Sequence, residues 1–147
     1  MNIAELLRPE NVLVDLDASS KSQLLQQLSD RAARATGLDQ AVVLNGLSHR
    51  ETLGSTGIGQ GIAIPHTAPA GLDVPFALLA RTAKPVEFDA VDDRPVDLIF
   101  LLLSPADRTS HLKALSVVSR QLRSAGVTER LRRARTAAEM YTAMTAE

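Results

Sequence analysis

The sequence predicts an α/β fold: a small β-sheet of about four to five strands, flanked by helices on both faces. Two observations carry that prediction. Amphipathic helical stretches alternate with short β-branched runs through most of the chain, which also argues for some parallel strand pairs. One apolar run, LIFLLL at 98–103, is almost uninterrupted, as a central strand covered on both faces would be. The length of 147 residues fits one compact domain, 1–147, that needs no metal or disulfide to hold it.

The elements follow in order. NVLVDLD (11–17) is short and β-branched enough for a strand. Residues 19–37 form a helix with Leu24, Leu28 and Ala32 on one face and Leu25 and Ala35 beside it. Ser19 or Ser20 can cap its start and Gly37 ends it. Asp39 caps a second helix, 40–53, whose core positions are Val43 and Leu47. GIAIP (61–65) reads as a short strand ending at Pro65, and 75–83 and 95–104 as longer ones. Ser104 and Pro105 signal the start of a long helix, 104–126, with Leu112, Leu115, Val118 and Leu122 as its buried stripe. A short helix at 128–134 contains most of RLRRAR (130–135), with Leu131 and Ala134 turned inward and the arginines solvated. The last helix opens with a capping box, Thr136 to Glu139.

Composition narrows the function. The formal net charge is −1 and RLRRAR is the nearest thing to a basic tract, so no nucleic-acid partner is expected. The absence of cysteine removes disulfides, thiolate metal sites and cysteine nucleophiles. Glu5, Arg8 and Glu10 interrupt the amino-terminal apolar residues, unlike a signal peptide, and LIFLLL is too short to span a bilayer. The expectation is a cytoplasmic chain without membrane insertion. No H-x-x-x-H or H-x-H spacing suggests a metal site, and no G-x-S-x-G elbow suggests a serine hydrolase.

The chemistry concentrates in GSTGIGQGIAIPH (54–66). Gly54, Gly57, Gly59 and Gly61 let backbone amides approach a ligand, and Ser55 and Thr56 add hydroxyls, together an anion-binding concavity. The stretch is neither a P-loop nor a dinucleotide fingerprint, and it follows a helix where those motifs follow a strand. Taken alone, such a loop is more often a turn. Pro65 fixes the backbone before His66, whose neutral imidazole is a good nucleophile near neutral pH. Arg50, just before the loop, could reach a phosphoryl group with its planar donor fork; its ordinary role would be a helix C-terminal cation. His111, early in the long helix, is either a second polar group over His66 or a boundary histidine. His49 reads as solvated.

RETLGSTGIGQGIAIPH (50–66), with EFDAVDDRPVDLIFLLLSPAD (87–107) and HLKALSVVSRQLR (111–123), resembles the type-2 EIIA proteins of the bacterial phosphoenolpyruvate-dependent phosphotransferase system. That fructose/mannitol class includes the nitrogen-regulatory EIIA. The resemblance implies a small mixed β-sheet flanked by helices on both faces, and a phosphotransferase without cofactor. In it His66 takes a phosphoryl group from a histidine of an HPr-type carrier and passes it on. It also implies active-site roles for Arg50 and His111, and a loop of Gly54, Ser55, Thr56 and Gly57 lining the site. The GSTGIG wording and the free-standing domain favour the nitrogen-regulatory branch. The alternatives are a sugar-specific EIIA that passes phosphoryl to a separate EIIB cysteine, and a binding module that transfers nothing. A partly apolar rim is expected around His66, with Ile58 and Ile62 as candidates. The chain departs from the family after the PH, where Thr67 and Ala68 stand in place of Gly or Ala followed by Lys or Arg.

Overall fold

The apolar run forms β6 (Val96–Leu103), and the computed structural model, which describes residues 2–146, shows why it lacks a polar face. Leu98, Phe100 and Leu102 belong to one layer of the core, and Ile99, Leu101 and Leu103 to the other. Successive side chains of a strand face opposite sides, so a strand covered twice is apolar throughout.

Around β6 lie β1 (Val12–Leu16), β2 (Gly57–Gly59), β3 (Ile62–Ala63), β4 (His66–Thr67) and β5 (Phe76–Val86). The order is β1-β5-β6-β3-β2, with β4 also paired to β6. The sheet is mixed, as predicted: β1 with β5, β3 with β6 and β4 with β6 are parallel, while β5 with β6 and β2 with β3 are antiparallel. β3 falls within the strand expected at 61–65, whereas β2 is a strand that the glycine composition conceals. β2 and β3 form a hairpin whose turn residues Gln60 and Gly61 both have positive φ, 57° and 79°.

Helices α2 (Lys21–Thr36) and α3 (Gln40–Thr52) cover one face, with Leu24, Leu25, Leu28, Ala32, Val43 and Leu47 buried. Ala35 is exposed. The other face carries α1 (Ile3–Leu6), α4 (Arg108–Arg123), α5 (Ala125–Arg133) and α6 (Ala137–Thr145). The sequence signals for ends hold at four places. Ser20 accepts from the Gln23 amide, Gly37 takes φ 79°, Asp39 accepts from the Ala41 amide, and Thr136 and Glu139 form the reciprocal capping box. α1 and the 3-10 turn Pro9–Asn11 are additions, each too short to show a periodicity.

α4 corrects two expectations. Its cap is Asp107, whose carboxylate accepts from the Thr109 amide, whereas Ser104 ends the sheet and donates its amide to the Thr67 carbonyl. Its buried stripe is Ala114, Val118 and Leu122, with Leu115 partly buried; Leu112 is 58% exposed. Two residues along a helix turn about 200°, so a stripe through Ala114 puts Leu112 on the outer face. α5 also begins earlier than read, at Ala125, but Leu131 and Ala134 do turn inward. Among the described residues no helix is long and apolar enough to cross a membrane.

Candidate active site

His66 stands on β4, and Pro65 explains how it is held. The segment from Ile62 to Thr67 runs parallel to β6, with the Leu102 amide donating to the Pro65 carbonyl and the Ser104 amide to that of Thr67. Proline has no N–H, so the ladder breaks between β3 and β4. The Ile64 carbonyl is left within 2.7 Å of His66 Nδ1. A carbonyl can only accept, so Nδ1 carries the proton and Nε2 keeps its lone pair. Arg50 Nε–H donates to that Nε2 at 3.2 Å.

Arg50 comes from the last turn of α3, and Gly46 lets it arrive there. One helical turn earlier on the same face, Gly46 passes so close to β4 that an added Cβ would lie 2.7 Å from Thr67 Oγ1. Thr67, the departure after the PH, is thus matched by a residue without a side chain. His111, in the first turn of α4, lies on the other side, its ring centroid 5.4 Å from that of His66 and tilted by 45°. The site sits on the seam between the two helical layers, at the carboxyl ends of β4 and β6. His49 is exposed.

The loop before β2 is packed rather than open. Ser55 Oγ donates to the Phe88 carbonyl at 2.7 Å and accepts from the Gly57 amide at 3.0 Å. The buried Thr56 gives both its amide and its hydroxyl to the Glu51 carboxylate. Gly57 lacks a side chain because Ala90 lies against it: a Cβ there would sit 2.9 Å from the Ala90 Cα. Gly54 is exposed, and its carbonyl accepts from Arg50 Nη1 at 2.8 Å. Sequence reasoning missed Gly46, Glu51 and Lys21, whose ammonium is 3.0 Å from Glu51. Nothing in one dimension marks their contacts. Ile62 is 2% exposed and so is not a rim residue; Leu112 and Leu53 are the exposed apolar side chains beside His111 and Gly54 in the chain. Among the described residues no three His, Asp or Glu side chains are grouped as a metal centre requires.

Burial pushes His66 below the ordinary histidine value, and the Arg50 charge adds to this; the Ile64 hydrogen bond and the Glu51 carboxylate oppose it. Burial also lowers His111, with His66 adding to the effect. Both are neutral at pH 7. Because both folded values lie below the unfolded value of about 6.5, the unfolded chain binds more protons in that interval. Stability should be level above about pH 6.5 and decline as pH falls below it, before the carboxylates titrate. Thermal melting from pH 8 to 5 checks this; a melting temperature that rises on acidification contradicts it.

The chain matches the family model for the phosphoenolpyruvate-dependent sugar phosphotransferase system, EIIA 2, over residues 5–146. It belongs to that family. Among EIIA 2 relatives, a nitrogen regulatory protein of Bradyrhizobium diazoefficiens is 41% identical over 145 residues, spanning 98% of this chain and 95% of the relative. A fructose-specific EIIA component of Haloferax volcanii is 34% identical over 132 residues, spanning 88% of this chain and 86% of the relative. The crystal structure of the nitrogen regulatory protein IIA-Ntr from Neisseria meningitidis superposes with a TM-score of 0.91 at 38% identity, covering 97% of this chain and 99% of that one. The EIIA 2 fold therefore extends over essentially the whole chain.

Proposed function

We propose that this EIIA 2 protein is a phosphohistidine carrier of the nitrogen-regulatory branch, loaded at His66 Nε2 by an HPr-type donor. The single observation that carries the site is the hydrogen-bond pair on His66, which protonates Nδ1 and presents a lone pair at Nε2. Full-length similarity to nitrogen regulatory proteins supports the branch.

In the transfer, the Nε2 lone pair forms the new N–P bond as the donor imidazole's N–P bond breaks, its electrons returning to the donor nitrogen. No proton leaves His66. The ring takes on positive charge, which the Nδ1–H bond to the Ile64 carbonyl stabilises. Arg50 gives up Nε2 and turns its fork to the phosphoryl oxygens, while Gly54 holds its other end. His111 has a buried Nδ1 without a hydrogen-bond partner, and its ring supplies the second polar group over the phosphoryl. Gly54, Ser55, Thr56 and Gly57 back the site as a fixed wall, their hydroxyls already engaged. Leu53 and Leu112 give the donor an apolar rim.

The test is incubation with phosphoenolpyruvate, enzyme I and an HPr-type carrier, followed by intact-mass measurement. One added phosphoryl group is expected; none would leave the chain a binding module. The fructose-specific relative supports the sugar branch as a second reading. Rapid onward transfer to an EIIB cysteine would favour it.

A further inference from the structure

We propose that Glu51 is a positioning residue of this site: its carboxylate clamps the glycine segment and so fixes where Arg50 stands against His66. The rate readout of this inference rests on the carrier reading above.

The Glu51 side chain is only 6% exposed, yet the proposed transfer makes no direct use of it. A buried carboxylate requires partners, and it has three donors. Thr56 gives its amide to Oε1 at 3.1 Å and its hydroxyl to Oε2, and Lys21 of α2 reaches Oε1 at 3.0 Å. Lys21 is itself placed, its ammonium 4.6 Å from the centre of the buried Phe88 ring. The carbonyl of Phe88 receives the Ser55 hydroxyl. Residues 55–57 are therefore gripped from both sides, by Glu51 and by Phe88. That grip fixes the Gly54 carbonyl, which holds Arg50 Nη1 and leaves Nε directed at His66. Arg50 and Glu51 are consecutive on α3, so their side chains diverge by about 100°: one reaches the nucleophile while the other anchors the wall.

The charge of Glu51 also reaches the nucleophile. His66 faces Arg50 and Glu51 from α3 and His111 from α4, and among these only Glu51 favours the protonated ring. Glu51 itself faces Lys21 of α2, which lies 3.8 Å from Asp89. A pair that merely stabilised the fold would affect melting alone.

The experiment uses full-length Glu51→Gln and Lys21→Met/Glu51→Gln. The double variant removes both members of the buried pair and is expected to fold with near-parental stability. In both variants phosphoryl uptake should fall about 10- to 100-fold, as misplaced positioning groups cause. The His66 titration, followed by NMR, should move to lower pH. A double variant with parental uptake and parental titration would overturn the role. If the parent itself accepts no phosphoryl group, the carrier reading fails, and the His66 titration and the Arg50 Nε–H resonance decide the role of Glu51. Both unchanged in the variants overturn it, and both displaced sustain it. Should neither variant fold, Thr56→Val, which removes only the hydroxyl hydrogen bond and keeps the Glu51 charge, is judged by phosphoryl uptake and the Arg50 Nε–H resonance: both unchanged overturn the clamp, and a displaced resonance with reduced uptake sustains it.

Discussion

His66→Ala is expected to abolish phosphoryl uptake completely while leaving the fold intact. No other imidazole can take over. His111 has one ring nitrogen buried and unpartnered, and His49 is an exposed residue of α3 with no side-chain hydrogen bond to His66, Arg50 or His111 among the described residues. The ring of His66 is half-buried, and its loss removes a hydrogen bond to the nearby Ile64 carbonyl and one from Arg50, a single partly exposed contact between α3 and β4. The secondary-structure spectrum should match the parent, and intact mass after incubation with the phosphorylated donor should show no phosphoryl adduct. An adduct that persists in His66→Ala places the acceptor elsewhere and overturns the site, though not the carrier activity.

The largest expected effect on stability is at Phe100. It is fully buried on β6 and pairs with Leu79 of β5, and its ring faces the layer built by α1, α4, α5 and α6. Phe100→Ala should cost about 3–5 kcal/mol, the range for a buried aromatic whose cavity cannot close. Total stability for a domain is about 5–15 kcal/mol, so the variant retains a fold but a marginal one. Urea denaturation measures it. Leu112→Ala is the internal contrast. A sequence-only stripe would make it costly, but its 58% exposure predicts a change within about 0.5 kcal/mol. A loss of several kcal/mol at Leu112 would show that α4 packs with a different face inward.

What was legible in the sequence depended on range. α2 and α3 were readable because their caps, Ser20, Gly37 and Asp39, and their apolar spacing are local events. β6 was readable because double burial leaves a continuous apolar run. Val118 and Leu122 of α4 were legible, but Leu112 was not excluded from the stripe because Ala114, which is buried in its stead, carries almost no hydrophobic signal of its own. β3 was readable at 61–65, but its hairpin partner β2 was hidden by glycines, which suggest a ligand loop but also serve a tight turn and a close approach to Ala90. Arg50 and His111 stand out by residue type, but the approach of Arg50 to His66 depends on Gly46, a residue whose missing side chain lets α3 pass close to Thr67. Glu51 and Lys21 were invisible for a different reason. Their pairing spans thirty positions and two helices, and each alone is an ordinary surface charge.

The placement of His66 on β4 has a consequence for the life of the molecule. β4 is bonded to the strand at the middle of the sheet, so the nitrogen of His66 proposed as the acceptor keeps its neighbours only as long as the sheet itself persists. Terminal helices can fray without disturbing it; separating β4 from β6 is the opening of the whole domain. Proteases that remove opened chains and a donor that requires the closed one therefore compete for mutually exclusive states. The quantity of reactive chain in a cell should track folding stability, so that substitutions far from His66 can silence it through abundance alone.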